Sequence, residues 1–273
     1  MDITLDDTEL ALFKKLLYGI AGIHLTPAKK ALVQGRLAKR VKHYGLASYR
    51  DYHRLITERE DELQVAVDLL TTNETYFFRE AKHFEWLRAF AAARRRNGRP
   101  LRVWSAASSS GEEAYTIAMV LADTLGDGPM APPWEVVGTD ISTRMLEQAR
   151  KGLYDQHRAR DLPRPYLHKY CLKGVGGQAG KILVDPALRR RVQFSQVNLN
   201  EPLPDVGGFD VIFLRNVMIY FQPETKQRVV ERLIHCLRPG GGFLVGHSET
   251  LSGITRSLTA EAPSIYRKPG GGS

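Results

Sequence analysis

Residues 101–113 read LRVWSAASSSGEE, which is the pattern of a short strand followed by a turn of small residues. The next stretch, from Gly111 to Leu125, has the apolar periodicity of a helix. Nucleotide-binding α/β proteins place small residues in their first strand-to-helix turn, because the backbone there approaches the ligand closely. The stretch therefore predicts the first unit of an α/β sheet.

The same alternation of strands and helices continues towards the C-terminus. Strands are predicted at 134–140, 192–198, 209–214 and 242–246, and helices at 142–151 and 223–237. Strands that alternate with helices of this length form parallel sheets. The fully apolar strand at 209–214 fits a sheet that is covered on both faces. Ligands of such sheets bind beyond the carboxyl ends of the strands.

The first 90 or so residues instead predict a helical module, since no stretch there has β alternation. Apolar side chains share one face of its first helix: Leu10, Phe13, Leu16 and Leu17. Thr26-Pro27 predicts the start of a second helix, with Thr26 as its cap. Ser48 is placed to cap the next helix.

The alternation lapses between Tyr154 and Arg191. Residues 173–181, KGVGGQAGK, are rich in glycine and predict a hairpin loop. We therefore expect a small β insertion, built on the sheet, at about residues 155–191. The predicted organisation is a helical domain at 1–90, an α/β domain at 91–268 and a flexible tail at 269–273.

The charge of the chain is strongly positive, with a formal net charge of +9 and a pI near 9.6. This balance favours an anionic partner, which is a nucleic acid, an acidic lipid or an acidic protein surface. The excess is concentrated near the N-terminus, where residues 10–57 contain ten basic residues and only one acid, Asp51. The ten are Lys14, Lys15, Lys29, Lys30, Arg36, Lys39, Arg40, Lys42, Arg50 and Arg54.

Several classes of protein are disfavoured by the sequence. No apolar run approaches the roughly 18–20 residues of a membrane span, and the acidic start MDITLDDTEL is unlike a signal peptide. We therefore expect a cytoplasmic protein without direct membrane insertion. Cys171 and Cys236 have no paired spacing and are predicted to be buried thiols. The eight histidines form no HExxH pattern, so no metal is expected.

The first turn carries information about the cofactor. It lacks the GxGxxG pattern of dinucleotide sites, and it ends in Glu112 and Glu113, which would repel a phosphate. S-adenosylmethionine has no phosphate and carries a sulfonium and an ammonium group, so it suits this turn. Asp140, at the end of the second strand, is placed either to hold a ribose or to cap the following helix. NAD has the same ribose, so Asp140 alone does not exclude a dehydrogenase.

Two further stretches contain polar residues that packing does not explain. Arg215 and Asn216 follow the fully apolar strand, where they are costly unless paired, and they lie where a ligand would lie. The segment 69–80, LLTTNETYFFRE, interleaves polar residues with three consecutive aromatics. Amino-group methyltransferases that act on nucleic acid typically have an Asn/Asp-Pro-Pro-Tyr/Phe tetrapeptide after this strand. The sequence does not have it after the strand at 209–214.

The combination of motifs resembles the CheR-type chemoreceptor glutamate methyltransferases. The motifs are TTNETYFFRE, VWSAASSSGEEAYTIAM, GTDIS, VNLNEPLP, FDVIFLRNVMIYF and LRPGGGFLVGHSE, in the expected order from about Leu10 to Arg267. The resemblance implies a class I S-adenosylmethionine-dependent methyltransferase fold, which is a Rossmann-like α/β sheet with an all-α N-terminal domain and a small β-subdomain insertion. The first turn departs from the common form only in Ser110 for Thr and Ala114 for Pro.

The resemblance also implies which residues form the site. The cofactor contacts would be Asn73, Thr75, Arg79, Glu113, Asp140, Asn198, Leu199, Arg215 and Asn216. Asp140 would hold the ribose, Asn198 and Leu199 would flank the adenine, and Arg215 and Asn216 would border the methionine end. Arg79 and Tyr220 match positions that act near the transferred methyl group.

The implied substrates are glutamate side chains in the cytoplasmic domains of methyl-accepting chemotaxis receptors. The basic helices at residues 10–57 are then a docking face for acidic receptor helices. The loop at 173–181 resembles the part of the β-subdomain that grips a C-terminal receptor pentapeptide, which would recruit the enzyme to receptor arrays. The alternative that remains is a nucleic-acid-binding methyltransferase of the same fold.

Overall fold

The structure, a computed structural model, describes residues 3–94, 99–126 and 131–270. Its N-terminal part contains the helices α1 (Asp7–Ala21), α2 (Lys30–His43), α3 (Tyr49–Glu58), α4 (Glu60–Leu70) and α5 (Lys82–Arg94). Helices α1 to α4 enclose an apolar core of their own, which includes Phe13, Leu37 and Tyr52. The side chains of α5 are buried in the core of the sheet instead, so we propose that the boundary between the domains lies within residues 71–81.

The remaining part alternates strands with helices. Its elements are β1 (Leu101–Ala106), α6 (Glu112–Leu125), β2 (Trp134–Asp140), α7 (Thr143–Lys151), β3 (Leu153–Asp155), α8 (Arg164–Tyr170), β4 (Cys171–Lys173), β5 (Lys181–Val184), α9 (Pro186–Arg189), β6 (Val192–Gln196), β7 (Phe209–Leu214), α10 (Pro223–Cys236), β8 (Leu237–Val245), β9 (Thr259–Ala262) and β10 (Ile265–Arg267). The predicted strands at 134–140 and 209–214 are confirmed with the predicted bounds.

Seven strands form the main sheet, in the order β6-β2-β1-β7-β8-β10-β9. The five strands from β6 to β8 are parallel, and β10 is antiparallel to both of its neighbours. Apolar layers cover both faces: α5 and α6 pack on one, and α10 packs on the other. The predicted α/β fold with a parallel core is therefore confirmed. The parallel arrangement brings the carboxyl ends of β1, β2 and β7 to one edge, where ligands of such sheets bind.

The β insertion has a sheet of its own. β3, β5 and β4 form a three-stranded antiparallel sheet that is separate from the main one. β4 and β5 flank the glycine-rich loop, as the predicted hairpin requires. The insertion does not extend the main sheet by strand pairing, since β3 pairs with β5. Its side chains, Tyr154 and Ile182 among them, instead belong to the apolar core that covers one face of the main sheet, as expected of an insertion built on it.

Other local predictions were also wrong. Thr26 makes no side-chain cap bond, because Pro27–Lys29 form a short 3-10 helix before α2 begins. The strand predicted at 192–198 ends at Gln196, and the strand predicted at 242–246 begins at Leu237. Both cysteines are half-buried rather than buried. By contrast, the hydroxyl of Ser48 accepts the amide of Asp51 and caps α3 as predicted.

No helix among the described residues is long and apolar enough to cross a membrane. Of the tail predicted to be flexible at 269–273, residues 271–273 lie outside the part that the structure describes.

Candidate cofactor site

A cleft of about 300 Å³ lies at the carboxyl edge of the parallel strands, a volume at the lower end of those typical of small-molecule sites. Every residue that the sequence assigns to the site lines it: Asn73, Thr75, Arg79, Glu113, Asp140, Asn198, Leu199, Arg215, Asn216 and Tyr220. These residues come from five separate parts of the chain. The fold therefore brings the whole predicted set together.

The first turn is held tightly against the neighbouring strand. The amides of Ala107 and Ser108 donate to the carbonyl of Thr139, at 2.9 and 2.7 Å. Ala107, Ser109 and Gly111 all have positive φ angles, of 98°, 49° and 94°. Such angles are strained for residues other than glycine and are concentrated at functional sites. A side chain at Gly111 would also lie 2.8 Å from the Cβ of Ala149. Small residues are thus required here for both conformation and space.

Asp140 is almost fully buried at the end of β2 and bridges two backbone segments. One carboxylate oxygen accepts the amide of Ser109 at 2.8 Å, and the other accepts the amide of Ser142 at 2.9 Å. Burial raises the pKa of this carboxyl, although the two amides act in the opposite direction. The cap of α7 is Ser142 rather than Asp140, because the hydroxyl of Ser142 accepts the amide of Met145. A carboxylate has about four acceptor sites, so Asp140 keeps acceptor capacity for a ligand.

Arg215 is the centre of an ion-pair network at the end of β7. Its side chain is 1% exposed, and its guanidinium donates to the carboxylates of Glu113, at 2.8 Å, and Glu80, at 3.0 Å. It also donates to the carbonyl of Arg79 at 2.5 Å. The expectation that a charge at this place must be paired is met by these contacts. The Nε atom is buried and has no partner among the described residues, so an acceptor on a ligand would satisfy it.

The two acids that end the first turn have different environments. The carboxylate of Glu113 lines the cleft, where it accepts the hydroxyl of Ser105 at 2.6 Å as well as Arg215. Glu112 is fully buried beside Arg158 of the β insertion and does not line the cleft. Of the two acids expected to repel a phosphate, only Glu113, which the sequence assigned to the site, faces the cleft. Consecutive residues of a helix point about 100° apart, so only one of the two faces the cleft.

The interdomain segment contributes Asn73, Thr75 and Arg79 to one wall of the cleft. The amide of Asn73 donates to the hydroxyl of Thr71 at 3.2 Å, and Arg79 donates to the carbonyl of Glu74 at 2.9 Å. Arg79 is half-buried, and no carboxylate pairs with it among the described residues. The guanidinium is thus available to bind an anionic group of a substrate by donating hydrogen bonds to it.

Another part of the cleft wall is formed by Asn198, Leu199 and Tyr220. The side chain of Asn198 donates to the carbonyl of Ile20 at 2.8 Å and accepts the amide of Asn200 at 3.0 Å, so its amide is occupied by the protein itself. Leu199 is 8% exposed and provides an apolar surface. The carbonyl of Tyr220 accepts the amide of His24 at 2.8 Å, which joins this wall to the helical module.

Sequence reasoning did not find the part of the site that comes from the helical module. Residues 23–26, just after α1, line the cleft, and Ile23 forms an isolated antiparallel bridge with Phe221. A second contact between the helical module and the sheet domain forms at the start of α7, where the carboxylate of Asp68 accepts the backbone amides of Thr143 and Arg144. The signal that was available is Gly22, which has a φ of 69° and ends α1. It marks a turn but does not indicate what the following residues contact.

The chemistry of the cleft fits S-adenosylmethionine. Glu113 provides an anion for the cationic methionine end, the Nε of Arg215 is a donor for its carboxylate, and Asp140 provides acceptors for ribose hydroxyls. The first turn offers no free N–H at Ser109 for a phosphate, since that amide is occupied by Asp140.

Comparisons with known proteins agree with this assignment. A family model described as "CheR methyltransferase, SAM binding domain" matches residues 73–265, and one described as "CheR methyltransferase, all-alpha domain" matches residues 8–71. The chain is similar to "Chemotaxis protein methyltransferase 2" of Pseudomonas aeruginosa, with 40% identity over 93% of this chain and 90% of that protein. It is also similar to the "Chemotaxis protein methyltransferase" of Escherichia coli, with 40% identity over 97% of this chain and 92% of that protein. The same name and identity apply to a relative from Salmonella typhimurium, over 97% of this chain and 91% of that protein.

Both family models together span most of the chain, and the relatives are matched over nearly their whole length. The methyl donor of this family is S-adenosylmethionine, in agreement with the chemistry of the cleft. The chain therefore belongs to the CheR methyltransferase family and is an S-adenosylmethionine-dependent methyltransferase.

Proposed function

We propose that the protein transfers the methyl group of S-adenosylmethionine to glutamate side chains in the cytoplasmic domains of chemoreceptors, forming methyl esters for sensory adaptation. The observation that carries the proposal is the convergence of the whole predicted residue set on one cleft, in a chain that is 40% identical to curated chemotaxis protein methyltransferases. S-adenosylhomocysteine is the other product.

The reaction is an in-line displacement that needs alignment more than acid–base catalysis. A carboxylate oxygen of the glutamate forms a bond to the methyl carbon, and the carbon–sulfur bond breaks with its electron pair going to sulfur. A glutamate with its ordinary pKa of about 4.3 is already ionised at neutral pH, so no general base is required. What the protein must supply is orientation of the carboxylate and removal of water from it.

Arg79 and Tyr220 are the residues that we assign to the acceptor carboxylate. Arg79 lines the cleft without a carboxylate partner of its own among the described residues, so its guanidinium is available to orient a glutamate through two parallel hydrogen bonds. Tyr220 is half-buried and also lines the cleft, where it would supply either a hydroxyl donor or an aromatic surface beside the sulfonium.

The other cleft residues would hold the cofactor. Asp140 would accept the ribose hydroxyls, and Leu199 with Asn198 would flank the adenine. Arg215 and Asn216 would border the methionine end, where Glu113 balances its positive charge. Asn73 and Thr75 would close the cleft from the interdomain segment.

The basic residues of the helical module would form the docking surface for acidic receptor helices. Several of the ten have structural tasks instead: Arg40 pairs with the buried Glu62, and Arg36 donates to the carbonyls of Leu70 and Thr71. Five have no ion-pair or side-chain hydrogen-bond partner among the described residues, namely Lys14, Lys15, Lys29, Lys39 and Lys42. Lys29 also lines the cleft, which makes the docking surface continuous with the site.

The β insertion would hold a receptor tail and so recruit the enzyme to receptor arrays. β4 is an edge strand of the small sheet, and edge strands accept an added peptide strand. Leu172 on this strand is 49% exposed and Val175 in the adjoining loop at 173–181 is 79% exposed, so apolar side chains are available to a peptide.

Transfer of labelled methyl groups tests the proposed function. The protein would be incubated with methyl-labelled S-adenosylmethionine and receptor cytoplasmic fragments with and without the C-terminal pentapeptide, and in parallel with DNA and RNA. Label in both receptor fragments supports the proposal, and faster labelling of the fragment with the pentapeptide supports the tether. Label in nucleic acid alone would favour the nucleic-acid methyltransferase instead.

A further inference from the structure

Glu80, His83 and His247 form a cluster beside the cleft. Their ligand atoms, the Oε2 of Glu80, the Nδ1 of His83 and the Nε2 of His247, all lie within 4.8 Å of one another. The Glu80 oxygen is 3.5 Å from His83 and 3.9 Å from His247. Glu80 ends the interdomain motif, His83 lies in the first turn of α5, and His247 follows β8. The cluster therefore joins three parts of the molecule.

The contact of His83 on the other side of its ring favours one tautomer. The Nε2 of His83 lies 2.8 Å from the hydroxyl of Ser264, which itself donates its single hydrogen to the carbonyl of Pro263 at 2.6 Å. The hydroxyl is then an acceptor, so Nε2 carries the hydrogen and Nδ1 carries a lone pair. His83 is fully buried, and its Nδ1 has no hydrogen-bond partner among the described residues.

This lone pair faces the carboxylate of Glu80, which is also an acceptor. The Oε2 atom of that carboxylate accepts the guanidinium of Arg215 at 3.0 Å and is satisfied, whereas the Nδ1 of His83 is not. A cation placed between the two atoms would give the buried Nδ1 of His83 a partner, which such a polar atom otherwise lacks at a cost.

We propose that Glu80, His83 and His247 bind a Zn²⁺ ion. Two imidazole nitrogens and a carboxylate oxygen are a known ligand set of zinc, which leaves one of its tetrahedral positions to water. Bonds of about 2.0–2.2 Å separate tetrahedral ligand atoms by about 3.3–3.5 Å. The observed 3.5 and 3.9 Å need a small contraction, and the two histidine nitrogens, which lie within 4.8 Å of each other, need to approach further. His247, with 51% of its side chain exposed, provides both the entry path and the freedom to move.

The surrounding charge is compatible with a divalent cation. Arg215 already donates to Glu80, which opposes a further positive charge. The same guanidinium is shared with Glu113, so two carboxylates surround one arginine and leave a net negative charge. The ring nitrogen that donates to Ser264 orients His83, as outer contacts of zinc histidines do. The bound ion would link the interdomain segment and α5 to the end of β8.

Zinc binding by the full chain, prepared without a polyhistidine tag and freed of metal with a chelator, tests the proposal. Titration of Zn²⁺ against a chromophoric competitor should show one tight equivalent. His247→Ala should weaken that equivalent at least about tenfold, since even outer-shell changes cost 10–100-fold. His168→Ala, which removes an exposed histidine elsewhere, is the matched control and should bind as the unmodified protein does.

Unfolding provides a second measurement that does not depend on methyl transfer. Ligands that bind only the folded state raise its melting temperature with concentration, so Zn²⁺ should raise the Tm of the unmodified protein and of His168→Ala but not that of His247→Ala. The absence of a tight equivalent in the unmodified protein would overturn the proposal. Equal zinc affinity in His247→Ala and the unmodified protein would overturn it as well.

Discussion

The guanidinium of Arg215 lies 2.8 Å from the carboxylate of Glu113, and this ion pair joins the end of β7 to the start of α6 at the cofactor cleft. Because both side chains are largely buried, the pair fixes the position of the charge that faces the cleft. A cationic ligand group would share the carboxylate with Arg215. The arrangement makes the affinity for the cofactor dependent on the charge of Glu113.

Glu113→Gln should therefore weaken binding of S-adenosylhomocysteine. Loss of a hydrogen-bonded charge costs about 1.5–3 kcal/mol, which corresponds to roughly tenfold to 150-fold in affinity. Calorimetric titration measures this directly. Glu135→Gln is the matched control, since Glu135 pairs with Arg102 near the opposite end of the same sheet and does not line the cleft. An unchanged affinity in Glu113→Gln would contradict the assigned role.

Asp140→Asn should remove the ability of the site to recognise a ribose diol. The unmodified protein is expected to bind adenosine more tightly than 2′,3′-dideoxyadenosine, whereas the variant should bind the two with nearly equal affinity. The lost discrimination is about 1–3 kcal/mol, since a buried acceptor is removed. Competition against S-adenosylhomocysteine measures both affinities. A variant that still prefers adenosine by the same factor would show that Asp140 only positions Ser109 and Ser142.

Arg79→Ala and Tyr220→Phe test the residues assigned to the acceptor carboxylate. We expect Arg79→Ala to lower kcat/KM for receptor by roughly tenfold to 150-fold and Tyr220→Phe by about fivefold, in proportion to the hydrogen bonds lost. Steady-state methylation of receptor fragments gives these values. Tyr18→Phe, a change at an exposed tyrosine, is the control. If both site variants kept nearly full turnover and cofactor affinity, the assignment would be wrong.

Glu62→Gln should destabilise the helical module in a way that depends on pH. The buried carboxylate accepts Arg40 at 2.7 Å, Tyr52 at 2.7 Å and Tyr44 at 2.9 Å. Burial alone would raise its pKa, but these partners lower the pKa below the ordinary value of 4.5. The stabilisation is therefore present above about pH 4.5 and is lost as the pH falls below it.

Denaturant unfolding at several pH values would measure that effect. At pH 7 the variant should lose about 2 kcal/mol of unfolding free energy, less than for a fully buried pair, because the side chain of Arg40 is 26% exposed. The difference from the unmodified protein should shrink as the pH falls below 4.5. Glu60→Gln, at an exposed position of the same helix, should change little at any pH. A difference that is constant with pH would contradict the account.

Reversal of two charges on α2 tests the docking surface. Lys39→Glu with Lys42→Glu should raise the KM for receptor roughly tenfold at low ionic strength and leave cofactor affinity unchanged, because charge complementarity mainly governs encounter. Added salt should reduce the difference. A control with the same change of charge, Lys151→Glu with Arg190→Glu, lies on other exposed elements. Equal effects of the two double variants would mean that only net charge matters.

The sequence predicted most of the fold because the strands that form its centre are long and apolar. β2 and β7 have the predicted bounds because nearly all of their residues are buried, in a sheet that is covered on both faces. Each strand is therefore a short apolar run with clear ends in the sequence. β9 and β10 were not predicted, because they contain only four and three residues and all of β9 is exposed. Their pairing is specified by their neighbour β8 rather than by their own composition.

The candidate site was predicted where motifs are local and was missed where contacts are distant. Asn73, Asp140 and Arg215 are marked by polar residues at places where packing alone would favour apolar ones. The bridge between Ile23 and Phe221 joins residues that are almost 200 positions apart, and neither residue has a distinctive pattern around it. The cluster of Glu80, His83 and His247 was missed for the same reason, since His247 lies more than 160 positions along the chain from His83.

Release of the transferred methyl group by alkali is the most direct test of the claim that the protein methylates glutamate side chains. A receptor fragment labelled by this protein and methyl-labelled S-adenosylmethionine would be treated with mild base, and the volatile methanol that is released would be counted. We predict that nearly all of the label is released, because glutamyl methyl esters are hydrolysed under these conditions, and that it is not incorporated when the acceptor glutamates are replaced by alanine. Label that stays on the receptor after alkali, or a receptor that is never labelled, would contradict glutamate methylation.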